Sequence, residues 1–283
     1  MEIAFFNGEF LPKNEIRISP DDRGFLFADG IYEVVKWYGG SFFDMETHIT
    51  RLKRSLGEIR LQWLENETFP EIAVELVRQN GLYDKHAMVY IQVTRGAAQR
   101  THHFPDYPVP PTVYAFVKEL PDTGKIMSDA INVLLREDIR WNRCDIKSVS
   151  LLPNVLGNQE ARENGCMECL FSRNGNITEA SHSNVFFVIN GVLRTHPESN
   201  YILSGVTRKN VIRIATESGI MVKEEALHES ELENVTEAFI TNTTGEVTPV
   251  KNINGKTVSD GLPGKITILL RNKFLSEISA NLR

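Results

Sequence analysis

This sequence predicts an α+β fold divided into two domains. Three observations point there. Strand-like segments come in pairs joined by hairpin turns, helical patterns do not alternate strictly with them, and a turn-rich stretch near the middle interrupts both. A length of 283 residues suits two ordinary domains. Hydrophobic residues make up 41% and charged residues 24%, the balance of a globular chain with a core to bury.

In chain order, Asn7-Gly8 separates two short apolar runs, and Gly39-Gly40 separates "IYEVVKWY" from "SFFDM". Such dipeptides supply the positive φ that tight hairpins need. From Glu46, the residues Ile49, Leu52, Leu56, Ile59 and Leu61 recur along one helical face. A second helix starts at Thr68, with Pro70 in an early position and Gly81 as its stop. Strands at 87–94 and 112–120 follow, around a loop rich in Arg, His and Pro. "PDTGK" (121–125) has no strong apolar pattern and marks the expected boundary between a smaller N-terminal domain, 1–120, and a larger C-terminal domain, 121–283. A strand at 131–135 comes next, then a helix from Pro153 to Asn164-Gly165 and strands parted by "RNGN" (173–176) and "NG" (190–191). A helix over 205–219 opened by Thr207, the strand "EAFITNT" and a last helix after Pro263 complete the chain.

Charge and length exclude several classes. A formal net charge of −6 argues against general nucleic-acid binding, which relies on a basic surface. No segment has the apolar length to span a bilayer, and Met1–Asn7 is too short and too acidic for a secretory signal, so a cytoplasmic location is expected. Cys166 and Cys169 have redox-type spacing but no second ligand pair, and they read as a strand with small buried thiols. No metal is expected, because His102 and His103 lack an acidic or cysteine ligand at suitable spacing.

Lys147 is the only formally charged residue between Asp145 and Glu160, in a run that otherwise reads as buried. An ammonium deprived of water gives up its proton more readily, and the free amine attacks aldehydes. A lysine whose stem packs while its head snorkels to water is the commoner reading of that stretch alone. Glu179 stands before fourteen residues with no formal charge. Buried, it needs a cation or hydrogen-bond donors, and a protonated pyridine nitrogen is one such partner. An exposed turn glutamate after "RNGN" is the alternative. "LSGVTR" (203–208) enters a helix through a glycine and "TNTTGE" (241–246) places hydroxyls and a glycine after a strand; both suit anions, although such capping also serves helices without ligands. Arg51, on an early helix, offers a bidentate guanidinium to the same anion. In "QVTRGAAQRTHHFP" (92–105), the cations suit capture of a carboxylate, with Arg95 expected to be merely solvated.

Together these stretches resemble the class IV aminotransferases that use pyridoxal 5′-phosphate (PLP), and within them the group acting on D-amino acids. The likeness runs nearly end to end through "DRGFLFADGIYEVVK", "ETHITRL", "QVTRGAAQRTHHFP", "RCDIKSVSLLPNVLGNQEA", "GNITEASHSNVF", "ILSGVTR" and "TNTTGEVTPV". The resemblance implies that Lys147 binds the cofactor aldehyde and then shuttles a proton between substrate Cα and cofactor C4′. Glu179 would keep the pyridine nitrogen protonated. Arg51, Val206, Thr207 and Thr243 would hold the phosphate, with Asn242 near the face of the ring. Tyr32, Arg100 and His102 would trap the substrate α-carboxylate. In relatives the last two reach in from a neighbouring subunit, which implies a homodimer.

The same likeness implies a ping-pong exchange between a D-amino acid, such as D-alanine or D-glutamate, and a 2-oxo acid, such as 2-oxoglutarate or pyruvate. Aminotransferases of branched-chain L-amino acids and aminodeoxychorismate lyase share the scaffold and are the alternatives; "RTH" favours the D-specific group. The chain departs from the family at "EASHSN", usually Glu-Gly-Ser-Ser-Ser-Asn, through Ala180 and His182, and at Asn242, where serine is common. Substrate range is where these departures bear.

Overall fold

Two units make up the structure, a computed structural model that describes residues 2–121 and 130–282. One contains the chain up to Pro121 with Ile146–Ser150 and Leu282; the other contains the described residues 130–145 and Leu151–Asn281. All but the first residue of the expected boundary, 121–125, lies outside the described residues. Ile146–Ser150, expected in the second domain, belongs instead to the first unit. Burial and main-chain pairing explain this. Ile146 joins the first hydrophobic core, the Tyr32 N–H donates to the Lys147 carbonyl at 2.9 Å, and Ser148 bridges Ile31.

In the first unit, β1 (Ile3–Phe6), β2 (Glu9–Pro12), β3 (Gly30–Tyr38), β4 (His86–Thr94) and β5 (Thr112–Glu119) form an antiparallel sheet in the order β2-β1-β5-β4-β3. Asn7 and Gly8, at φ 47° and 99°, make the tight turn between β1 and β2. The second expected hairpin is incomplete. Gly39 turns the chain at φ 74°, but Phe42 makes only an isolated bridge to Trp37 before a helix begins. A short helix α1 (Arg23–Phe27), not foreseen from the apolar pattern, is capped by Asp22, which accepts from the Gly24 N–H at 2.8 Å. Helices α2 (Met45–Glu58) and α3 (Phe69–Gln79) cover the sheet face that carries Ile31, Val35, Val89, Ile91 and Ala115. Leu52, Leu56, Phe69 and Leu76 are buried there, each contributing about 1.5–3 kcal/mol.

The second unit is a ten-stranded mixed sheet built from β6 (Ile131–Glu137), β7 (Glu168–Arg173), β8 (Asn176–Ala180), β9 (Asn184–Ile189), β10 (Val192–Thr195), β11 (Val222–Glu224), β12 (Leu227–His228), β13 (Glu237–Asn242), β14 (Glu246–Ile253) and β15 (Lys256–Thr257). Its order is β11-β10-β9-β13-β14-β6-β7-β8-β12, with β15 on β14; β14, β6 and β7 run parallel. Helix α4 (Leu152–Glu163) packs on β6 and β7, where Gly157 meets Phe171 so closely that a Cβ would stand 2.8 Å from the ring. Helices α5 (Val206–Glu217) and α6 (Lys265–Asn281) pack on one another, and both touch β13.

One expectation fails here. The apolar run after Lys147 is not buried: Leu152, Val155 and Leu156 are 68%, 59% and 54% exposed at the start of α4. Cys169 is buried in β7, but Cys166 lies half-buried before that strand, and both are free. No helix among the described residues is long and apolar enough to cross a membrane.

Candidate active site

Lys147 sits on the short segment that rejoins the edge of β3. Its N–H donates to Ser55 Oγ at 3.3 Å and the Val149 N–H donates to the Gly30 carbonyl at 3.1 Å, so the segment is pinned on both sides of the lysine. The side chain is half-buried, with Nζ 4.2 Å from the centroid of the Tyr32 ring. Ammonium over an aromatic face is a stabilised arrangement. Tyr32 stacks on Tyr90, and Tyr90 on Phe116, at centroid distances of 5.5 and 5.2 Å.

Arg51 is buried, 7% exposed. Its Nε and Nη2 donate to the two carboxylate oxygens of Glu33 at 3.0 and 2.6 Å, and His48 Nδ1 stands 3.1 Å from the same carboxylate. Burial alone would raise the Glu33 pKa, but the Arg51 charge and the His48 bond hold it far below the usual carboxylate range. Burial also holds His48 below its ordinary value. Glu33 escaped the sequence reading, although its place between Ile31 and Val35 on the core-facing side of a strand was a signal that a charge had to be paired there.

The loop 95–110 holds two kinds of basic residue. Arg95, expected to be solvated, is 8% exposed and forms a bidentate pair with Asp29 at 2.7 and 2.9 Å. Arg100 and His102 are exposed and donate no hydrogen bond to any described residue.

In the second unit Glu179 lies on β8, 5% exposed. Arg140 Nη1 donates to its Oε1 at 2.5 Å; Asn184 Nδ2 and the Leu203 N–H donate to Oε2 at 3.0 and 2.9 Å. Burial pushes the Glu179 carboxyl up to about 7, against the pull of Arg140. Arg140 is itself held by Asp138 at 2.9 and 3.0 Å. The exposed-turn reading of Glu179 is thereby excluded. Arg140 was not singled out from the sequence, because a cation in the loop after a strand carries no pattern of its own.

Asn184 links this carboxylate to the start of α5, since its Nδ2 also donates to the Leu203 carbonyl at 2.9 Å. Gly205 is the N-cap, and a Cβ there would stand 2.1 Å from Asn184 Oδ1, so only glycine admits this approach. No side chain caps the helix, which leaves the N–H groups of Val206 and Thr207 at the positive end of its dipole. Thr207 is buried and Thr243 half-buried, and neither hydroxyl has a partner among the described residues. Asn242 is committed to its own turn. Its Oδ1 accepts from the Gly245 N–H and Thr244 Oγ1 at 2.5 and 3.1 Å, and its Nδ2 donates to Ser183 Oγ at 2.8 Å. Ser183 Oγ donates in turn to Glu168 at 2.9 Å, and Glu168 also accepts from the His182 N–H at 2.8 Å. Buried Glu168 thus shapes the divergent loop, while the His182 side chain is 55% exposed.

Lys147, Tyr32, Arg51, Arg100 and His102 therefore belong to the first unit, and Glu179, Val206, Thr207, Asn242 and Thr243 to the second. The family model of the class IV aminotransferases matches residues 30–253, from the strand that bears Tyr32 to the end of β14. The chain belongs to the class IV aminotransferases.

Among relatives of this class IV aminotransferase, D-alanine aminotransferase from Staphylococcus haemolyticus is 40% identical over 275 residues, 97% of each chain. That from Bacillus licheniformis is 39% identical over 281 residues, covering 97% of this chain and 98% of its own. In fold, the chain is similar to branched-chain amino acid aminotransferases. The Escherichia coli enzyme has a TM-score of 0.89 at 24% identity, covering 97% and 94% of the two chains. The T.th. enzyme, solved with N-(5′-phosphopyridoxyl)-L-glutamate, has a TM-score of 0.88 at 25% identity, covering 98% and 94%.

The class IV enzymes use PLP, and residues of the second unit fit that group. A carboxylate offers about four acceptor sites. Donors from Arg140, Asn184 and Leu203 reach Glu179, so one site on Oε1 is left for a pyridinium N–H. The uncapped N-terminus of α5 and the unpartnered hydroxyls of Thr207 and Thr243 suit a phosphate. The enzyme is a PLP-dependent aminotransferase acting on amino acids and 2-oxo acids.

Proposed function

We propose that the enzyme exchanges an amino group between a D-amino acid, such as D-alanine or D-glutamate, and a 2-oxo acid, such as 2-oxoglutarate or pyruvate, as a cytoplasmic homodimer. The observation that carries this reading is the pair Arg100 and His102, exposed hydrogen-bond donors with no internal hydrogen-bond partner among the described residues. The full-length likeness to D-alanine aminotransferases supports it.

When bound, PLP supplies an aldehyde for the substrate amine and a ring that draws electrons from Cα. Lys147 Nζ would be the amine that holds the aldehyde and, when free of it, the base that carries the proton between substrate Cα and cofactor C4′. Glu179 would keep a proton on the ring nitrogen through charge and hydrogen bonding. The N–H groups of Val206 and Thr207, the hydroxyls of Thr207 and Thr243, and Arg51 would hold the phosphate, while Asn242 fixes the turn that bears Thr243. Tyr32, Arg100 and His102 hold the α-carboxylate, with Arg100 and His102 of one protomer serving the site of its partner. The two substrates then take turns in one site, a ping-pong route.

Exposed Arg100 and His102 and the exposed apolar residues Leu152, Val155 and Leu156 suit an assembly in which a second copy covers them. Sedimentation equilibrium tests the dimer. Assay of the holoenzyme with D-alanine against L-leucine, each with 2-oxoglutarate, tests the substrate; turnover of L-leucine alone would place it with the branched-chain enzymes. Pyruvate released from aminodeoxychorismate without an added oxo acid would place it with the lyases.

A further inference from the structure

We propose that Phe27 is a positioning residue for substrate binding, an aromatic platform that orders Arg100 and His102 while leaving their hydrogen-bond donors free for a carboxylate. The proposal rests on the reading of those two residues as the carboxylate trap.

Phe27 ends α1 and is half-buried. Three groups converge on its ring. The Arg23 guanidinium lies 4.7 Å from its centroid, that of Arg100 5.1 Å, and the His102 ring meets it edge-on at 5.6 Å and 77°. Two guanidinium groups on one ring repel unless one charge is neutralised nearby. Asp29 does this, accepting from Arg23 Nε at 2.9 Å and from Arg95. Burial would raise the Asp29 pKa, but the two arginines hold its carboxyl below the usual range, so it stays charged.

The same cluster fixes the loop. Arg23 Nη1 donates to the carbonyl of Thr101, the residue between Arg100 and His102, at 2.7 Å. Arg95 donates to the Ile59 and Arg60 carbonyls at 2.7 and 3.1 Å and lies 3.7 Å from the Phe104 centroid. Arg23 and Arg95 therefore spend their charge on Asp29, whereas Arg100 and His102 rest on an aromatic surface and make no hydrogen bond to any described residue. An exposed arginine on a flexible loop loses rotamer freedom when it grips an anion; a platform that orders it beforehand lowers that cost. A π face attracts a guanidinium and an aliphatic side chain does not, so the role requires an aromatic residue.

Phe27→Leu in the holoenzyme tests this, with Phe27→Trp as the conservative replacement. F27L is expected to raise KM for D-alanine roughly tenfold with kcat within about twofold. The inhibition constant of propionate, an unreactive carboxylate of similar size, should rise in parallel, with the cofactor absorbance and thermal midpoint held. F27W should restore both constants. Parent-like KM and propionate inhibition in F27L, or a fall in kcat at constant KM, would overturn the proposal. Arg100→Ala is measured alongside. If R100A also leaves KM unchanged, the carboxylate-trap reading itself fails; if R100A raises KM and F27L does not, only the role of Phe27 fails. Should F27L not fold, F27M, which keeps an unbranched apolar side chain, takes its place.

Discussion

Asn184 donates to Glu179 at 3.0 Å and, through the same side-chain nitrogen, to the Leu203 carbonyl at 2.9 Å, while the Leu203 N–H returns to Glu179. A buried carboxylate and the entry to α5 are thus held by one amide. Gly205 permits the contact, because any Cβ would collide with Asn184 Oδ1. Gly205→Ala is expected to push Asn184 away and loosen both. Equilibrium titration of the apo-protein with PLP should show an affinity lower by roughly tenfold or more, on the scale of one lost charge-assisted hydrogen bond. Unchanged affinity would detach Asn184 from the cofactor site.

Arg140 is 6% exposed and joins Glu179 to Asp138, so its removal leaves buried Glu179 without a cation and Asp138 with only Arg173, at 3.3 Å. Arg140→Met should destabilise the protein by about 3–5 kcal/mol, the range for breaking a buried ion pair from one side. Urea unfolding checks this; a loss below about 1 kcal/mol would mean that water or rearrangement replaces the arginine.

Glu179 gives a pH signature of definite sign in the apo-protein. Its folded pKa is raised to about 7 from 4.5, so between those values the native state keeps a proton that the unfolded chain has released. Stability from this group is therefore greatest below about pH 4.5 and declines as pH rises towards 7, by on the order of 2–3 kcal/mol. Glu33 and His48, both held below their ordinary values, act in the opposite sense and cost stability on acidification. Comparing wild type with Glu179→Gln cancels those two. The thermal midpoint of wild type minus that of E179Q should fall between pH 5 and 8, and a flat difference would mean that Arg140 keeps Glu179 ionised throughout.

Lys147→Ala should leave the fold intact, since the segment is held by main-chain bonds and by Ile146 rather than by the amine. Turnover should drop by at least about a thousandfold, the combined scale of a lost nucleophile and a lost proton carrier. The absorbance of the lysine-bound cofactor should vanish with it. A K147A variant that transaminates like its parent removes Lys147 from the mechanism.

Local signals carried most of the elements and the type of chemistry. Hairpin dipeptides, helix stops and apolar periodicity placed the main strands and helices because those preferences act over a few residues. The roles read for Lys147, Glu179 and the α5 entry came from the resemblance carried by the order of the motifs, since each stretch alone also suits a residue without a ligand. What depends on distant partners was decided only by the fold. Glu33 and Arg51 lie 18 residues apart, Asp29 and Arg95 lie 66 apart, and Arg140 and Glu179 lie 39 apart. Nothing in the sequence near Arg95 told a buried anchor from a solvated loop cation, and nothing near Leu152 told a core run from an exposed one. Ile146–Ser150 left its neighbours in sequence for the edge of β3 because burying Ile146 and satisfying the main-chain groups of Gly30, Tyr32 and Val149 outweighed chain continuity. Pairing of charge and backbone across long loops is a property of the assembled tertiary structure, and it is this pairing that separates buried anchors such as Arg95 from basic residues left exposed, such as Arg100.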